Sequence, residues 1–267
     1  MRRIIFTGKG GVGKTTILSN LVRLLARDGE RVLAIDCDPS MNLAMSLGIP
    51  LSDIVSLAED KVRFQMQLEA DMRDREHEED DDDEHEHKPV PIGSLSDYII
   101  RTEEGVFLIV MGTIPYGGAG CLCAPIALVK MLVNYLSSGT EEYDYIIIDS
   151  QAGVEIFGRG LASEFDLTLI ITEPTPKSLE VAKHGSKLAR DIGVKKQIAV
   201  VNKVENEEDL QSAIRELNGF VDEILTMRHD ILIKEADKKG LLLLDVYPEA
   251  AVLDDIRRIK CYVTGEE

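Results

Sequence analysis

Short apolar runs rich in β-branched residues recur along the chain, at 3–7 (RIIFT), 31–36 (RVLAID), 106–111 (VFLIVM), 145–150 (YIIIDS), 167–172 (LTLIIT) and 198–203 (IAVVNK). They are too short for typical helices, and their apolar residues are continuous rather than alternating. This predicts strands covered on both faces. Between most of them, apolar residues return at helical spacing, as in Leu18, Leu21, Val22 and Leu25, or Leu128, Leu132 and Leu136. Strands alternating with helices predict an α/β fold, a doubly wound domain around a mostly parallel sheet. No internal repeat and no linker rich in Gly, Pro or Ser divides the chain, so residues 1–267 are expected to form one domain.

One segment breaks the rhythm. Residues 69–88 hold twelve acids against three bases, a net −9 that is half of the formal −18 of the whole chain. An acidic insertion at about 69–89 cannot bury a core and is expected to be a mobile surface loop. It carries His77, His85 and His87, three of the five histidines. Two readings stand for these, a solvated acidic loop and a weak multi-site buffer for nickel or zinc, which imidazole suits.

The remaining composition narrows the partners. No apolar run approaches the roughly 18 residues of a membrane span, and the N-terminal apolar run is shorter than the roughly 7–15 residues of a signal peptide. A cytoplasmic protein is expected, a compartment where structural disulfides are rare. The acidic balance argues against nucleic acid as a partner, because sequence-independent binding there rests on clustered Lys and Arg. At the C-terminus, 250–263 (AAVLDDIRRIKCYV) has apolar spacing, and a helix docked on the core is favoured over one lying on a membrane surface.

Chemistry concentrates after the first predicted strand. GKGGVGKTT (8–16) matches G-x-x-x-x-G-K-[ST] through Gly8, Gly13, Lys14 and Thr15, between a strand and a helix. In such a P-loop, the backbone N–H groups of Gly8, Lys9, Gly10, Gly11, Val12, Gly13 and Thr16 can close around phosphate oxygens at a helix N-terminus. Lys14 is expected to reach the β and γ phosphates, and the Thr15 hydroxyl to ligate Mg²⁺. The fold class expected is thus a single doubly wound P-loop NTPase domain.

Lys9 gives the variant KGGVGKT, which resembles the deviant Walker A motif of the MinD, ParA and nitrogenase iron-protein superfamily of dimeric ATPases. The resemblance implies that Lys9 crosses to the nucleotide of a partner subunit in a homodimer. DCDPSMN (36–42) resembles the D-x-D-P-x-x-N segment of that family, which implies that Asp38 orients the attacking water and Asp36 sits near the metal. IIIDSQAG (146–153) looks like the Walker B strand and second switch, with Asp149 on Mg²⁺ through water and the Gly153 N–H sensing the γ-phosphate. Asn202, followed by Lys203 in VVNK, resembles the asparagine that reads the adenine edge, and ITEPTPKSL (171–179) matches the segment after the family's next strand. Near the base the family often has Ile-Pro and an acid. Here TMRHDILIKEAD (226–237) offers Met227, Arg228 and His229 before Asp230, without the proline.

Cys121 and Cys123 lie in GAGCLCAP (118–125), two of only four cysteines. In an extended segment, residues i and i+2 face the same way, so both sulfurs can meet one ion, whereas on a helix they cannot. Gly117, Gly118, Gly120 and Pro125 argue for the extended form. Two thiolates fill half of a tetrahedral shell, and a symmetric partner could supply the other half. Zinc, nickel or, in vitro, copper(I) would suit such a site. An inert buried pair and a strained redox disulfide remain as alternatives. Cys37 reads as a small buried residue after a strand, and Cys261 carries no reading.

Within the superfamily, GGAGCLCAP together with DSQAGVEIFGRG (149–160) most resembles the CooC-type ATPases, which assist nickel insertion into carbon monoxide dehydrogenase. This implies a Mg-ATP-dependent metallochaperone holding Ni²⁺ or Zn²⁺ at an intersubunit Cys₄ site, with a client such as carbon monoxide dehydrogenase. The alternatives are a MinD- or ParA-like positioning ATPase and an iron–sulfur protein like the nitrogenase iron protein.

Overall fold

The computed structural model describes residues 1–79, 95–113, 123–137, 143–158, 161 and 164–265, with no side chain described at 71, 74–79, 123 or 124. Its strands are β1 (Arg2–Gly8), β2 (Val32–Asp36), β3 (Ile100–Arg101), β4 (Phe107–Val110), β5 (Tyr145–Asp149), β6 (Leu167–Thr172), β7 (Gln197–Val204) and β8 (Glu223–Arg228). They form one sheet in the order β3-β4-β2-β5-β1-β6-β7-β8. Every neighbouring pair is parallel except β3 with β4. The longer helices are α1 (Lys14–Arg27), α3 (Lys61–Glu79), α4 (Cys123–Ser137), α6 (Pro176–Asp191), α7 (Glu207–Leu217) and α10 (Val252–Thr264). The shorter ones are α2 (Asn42–Ser46), α5 (Glu155–Gly158), α8 (Ile231–Lys238) and α9 (Leu243–Val246).

Pleating sorts the continuous apolar runs into two cores. From β1, Ile4 and Phe6 join Leu18, Leu21, Ile256 and Ile259 of α1 and α10 on one face. Ile5 joins Leu128, Leu132 and Leu136 of α4 on the other. The doubly wound α/β expectation therefore holds, and α10 docks on the core through Val252, Leu253, Ile256, Ile259 and Val263 as its spacing predicts. No helix among the described residues is long and apolar enough to cross a membrane.

The structure differs from the sequence reading at three places. The described part of the acidic segment, residues 69–79, is not an irregular loop, because α3 continues to Glu79. Phe64 and Leu68 are fully buried, and Met72, four residues further on, packs beside the same core, so one apolar stripe carries the helix past the first acids. Residues 80–89, with His85 and His87, lie outside the described residues, as does the His77 side chain. Second, residues 226–228 belong to a strand that the sequence reading does not mark. They complete β8, an edge strand whose alternating pattern hid it among polar residues, with Leu225 and Met227 buried in the core. Arg228 is bound bidentately by the buried Asp255, and Asp230 caps α8 by accepting from the Leu232 N–H. Third, α4 begins at Cys123, so Pro125 does not exclude helix there; proline in a first turn removes only an N–H that has no intrahelical partner. Cys121 lies outside the described residues.

Phe64 meets Tyr98 edge-to-face at 5.0 Å and 88°. Phe64→Ala is expected to cost about 3–5 kcal/mol, read as a lower urea midpoint with an unchanged slope.

Candidate functional site: a buried phosphate and cation site

Strand order assembles the site. β1 lies between β5 and β6, with Phe6 opposite Asp149 and Gly8 opposite Ile171. β2 flanks β5 on its other side, which places Asp36 opposite Asp149. The loops after β1, β2 and β5 therefore converge at the carboxyl ends of the parallel strands.

The loop after β1 admits only glycine at two positions. Gly8 has φ 146°, and a Cβ there would come within 2.1 Å of the Ile171 carbonyl oxygen. Gly13, the N-cap of α1, has φ 97°, and its Cβ would meet Asn202 Nδ2 at 2.5 Å. Gly10 and Gly11 are exposed, Val12 is buried against the core, and Thr16 uses its carbonyl to receive the Asn20 amide at 2.8 Å.

Charges are buried here without full compensation. Lys14 is 7% exposed and its Nζ reaches the Gly8 carbonyl at 3.4 Å. Burial lowers its pKa, against the nearby Asp149 and Asp38, which raise it. Thr15 Oγ1 donates to Asp149 Oδ2 at 2.5 Å, while the buried Asp149 Oδ1 has no partner. Asp36 accepts the backbone N–H groups of Asp38 and Leu43, each at 3.0 Å. Burial, reinforced by Asp149, pushes the Asp36 carboxyl up to about 8. Burial also pushes Asp149 up to about 6, although the Thr15 bond and Lys14 oppose it. Asp38 is half-buried and accepts the Ser40 N–H at 2.9 Å. Between these acids, Cys37 is buried in the core and burial raises its thiol pKa, so it is an inert packing residue.

An orphaned buried carboxylate oxygen beside a threonine hydroxyl is a donor set that suits Mg²⁺, a hard cation that takes oxygen ligands and keeps its waters. Among the described residues there is no group of three or more His, Cys, Asp and Glu placed to hold a metal by themselves.

The remaining expected residues are placed less simply. Lys9 is half-buried and makes no hydrogen bond or ion pair with the described residues. The Gly153 N–H donates to the Gly8 carbonyl at 3.0 Å, and Thr7 Oγ1 donates to the Gly153 carbonyl at 3.2 Å. In this conformation, then, Gly153 is latched to the end of β1 rather than free to meet a phosphate. Asn202 does not present its amide to open space either. It is 3% exposed, its Nδ2 donates to the Val12 carbonyl at 2.8 Å, and its Oδ1 accepts the Lys203 N–H at 2.8 Å. Lys203 Nζ donates to the Gly11 carbonyl at 2.9 Å and pairs with Glu173. The sequence does not single out Glu173 or Thr7. Both sit at strand ends facing residues distant in the chain, and no local spacing marks them.

The CobQ/CobB/MinD/ParA nucleotide binding domain matches residues 4–244. The chain belongs to that family. Among curated proteins, the carbon monoxide dehydrogenase accessory protein CooC of Rhodospirillum rubrum is 33% identical over 92% of this chain and 90% of its own length. An uncharacterized ATP-binding protein of Methanocaldococcus jannaschii is 37% identical over 82% of each chain. The cell division ATPase MinD of Pyrococcus furiosus has the same fold, with a TM-score of 0.70 at 21% identity over 99% of both chains. So does MinD of Pyrococcus horikoshii, solved with Mg-ADP, at a TM-score of 0.70 and 21% identity over 98% of this chain and 95% of that one.

Burial gives the family's acids a pH signature. Asp149 holds its proton more tightly folded (about 6) than at its ordinary 3.8, so the ionised form costs stability above that window. Ligand-free Asp149→Asn should therefore melt higher than wild type at pH 7–8, and the gap should close as pH falls from about 6 to about 4. Thermal unfolding across that range checks it.

Proposed function

We propose that this protein is a Mg²⁺-dependent ATP hydrolase that works as a dimer and passes a metal ion, nickel or zinc, to a client enzyme of the carbon monoxide dehydrogenase type. The observation that carries the hydrolase part is the pairing of buried Lys14 with an orphaned Asp149 oxygen and the Thr15 hydroxyl at the mouth of a glycine loop. Such a cluster of buried charge is costly until a polyphosphate and a cation complete it.

In this reading the N–H groups of the loop 8–16 receive the β-phosphate and Lys14 neutralises the β and γ oxygens. Thr15 and Asp149 would hold Mg²⁺, with Asp36 behind them, and a cation bound there would supply charge neutralisation for the ADP leaving group. Asp38 orients a water whose oxygen attacks the γ-phosphorus in line as the bond to the ADP oxygen breaks. Lys9, without a partner among the described residues, reaches the nucleotide of the second subunit. The Gly153–Gly8 latch opens so that the Gly153 N–H can meet the γ-phosphate. Asn202 keeps one N–H and one lone pair beyond the two bonds it makes, so any reading of the adenine edge has to share the residue with its hold on Val12.

The metal-delivery part rests on Cys121 and Cys123 and on the similarity to CooC across nearly the whole chain. The ion is cargo held between two C-x-C segments, one from each subunit. ATP binding presses them together, hydrolysis separates them, and linkage requires that metal in turn favours the ATP-bound dimer.

Two outcomes are expected. Lys14→Ala and Asp38→Ala should each lower kcat for ATP at least about 100-fold, with Asp38→Ala retaining ATP binding in a filter assay. Wild type dialysed against Ni²⁺ or Zn²⁺ should keep one tightly bound ion per two chains, and Cys121→Ser/Cys123→Ser none. Retention by the double variant would refute the shared site while leaving the hydrolase reading intact.

A further inference from the structure

Lys203 sits in backbone that a lysine rarely adopts. Its φ is +61°, and the register of β7 against β8 slips between Val201 and Val204 at the same point. A non-glycine residue in the left-handed region is unfavourable and persists where surrounding contacts hold it. Such a bulge re-aims a side chain. Here it turns Lys203 out of the ladder and across β6 toward the phosphate loop, where Nζ meets the Gly11 carbonyl at 2.9 Å. The preceding residue, Asn202, takes the next carbonyl, that of Val12, at 2.8 Å.

Two consecutive carbonyls are thus drawn to one side. In a trans peptide the C=O of one residue and the N–H of the next point in opposite directions. Pinning the Gly11 and Val12 carbonyls therefore turns the Val12 and Gly13 N–H groups to the opposite side. Neither N–H has a partner among the described residues. Successive free N–H groups turned to one side form an anion-binding concavity.

We propose that Lys203 and Glu173 are positioning residues for this concavity. Lys203 fixes the Gly11 peptide, as Asn202 fixes the Val12 peptide, so that two N–H groups converge where a phosphate would lie. Glu173, at the end of the neighbouring β6, holds the Lys203 ammonium in place. The Glu173 N–H donates to Ser178 Oγ at 3.0 Å, which fixes the direction of this segment. The Glu173–Lys203 pair is partly exposed and contributes little as an isolated ion pair. What matters is the charge-assisted bond it steadies. A solvent-facing lysine would need neither the left-handed backbone nor the slip in register.

The inference rests on the nucleotide reading only for its second readout. Amide order parameters of Gly11, Val12 and Gly13, measured by NMR relaxation on ligand-free protein, should lie near about 0.85 in wild type. They should fall below about 0.6 in Lys203→Met and recover in Lys203→Arg. Mg-ADP affinity should fall about tenfold in Lys203→Met, with thermal midpoint and adenosine affinity unchanged. Glu173→Gln should weaken Mg-ADP less, and add nothing in the Lys203→Met background, because it acts through Lys203. Unchanged order parameters in Lys203→Met, or full additivity of the two substitutions, would overturn the proposal. A wild type that binds no ADP would instead count against the nucleotide reading, while the order parameters would still report whether the loop is pinned.

Discussion

Charge buried at the carboxyl ends of β1, β2 and β5 is the constraint around which the site is organised. Lys14, Asp36 and Asp149 are all less than one-tenth exposed, and two of the three are acids that face each other across neighbouring strands. Parallel pairing makes this unavoidable, because it stacks the ends of adjacent strands at one edge of the sheet. One lysine cannot balance two acids and at the same time satisfy both oxygens of Asp149. The strain shows as acids pushed up and a lysine pushed down, all by burial. In the proposed function a polyphosphate with a divalent cation would supply what is missing, negative charge for Lys14 and the loop N–H groups, positive charge for the acids.

The fold supports this with contacts far apart in sequence. Asn202 and Lys203 from β7 reach back about 190 residues to the loop after β1. Gly153, just after β5, closes on Gly8. The loop is therefore gripped from two sides, by β7 at Gly11 and Val12 and by the segment after β5 at Gly8. Under the proposed function only the second grip would let go, for the Gly153 N–H to meet a γ-phosphate, while the grip from β7 would stay in place. Val154 follows Gly153 and leads into α5, and Val154 and Phe157 lie against Gly185 of α6, which packs this side of the site on the helical layer.

Much of this was legible from residues alone. A lysine and a threonine after a glycine loop can do their chemistry only at fixed spacing, so Gly8, Lys14 and Thr15 announce themselves. Continuous runs such as IIID, ending in an acid, mark both a buried strand and its functional end. β8 was hidden because its exposed face is polar, and α3 because acids mask the stripe of Phe64, Leu68 and Met72. The second role of Asn202 and the part of Glu173 are tertiary facts. They depend on β6 and β7 lying beside β1, and on a left-handed lysine that no propensity would place there. Cys121 lies outside the described residues, so the thiol pair stands on sequence and on similarity to CooC.

Calorimetric titration of ATP into the wild type, with and without Mg²⁺, tests the central claim most directly. If the buried acids await a cation and Lys14 awaits phosphate, ATP should bind at one site per chain and at least about tenfold tighter with Mg²⁺. Asp149→Asn should bind Mg-free ATP normally yet lose that enhancement. Equal affinity with and without Mg²⁺ in wild type would contradict the account.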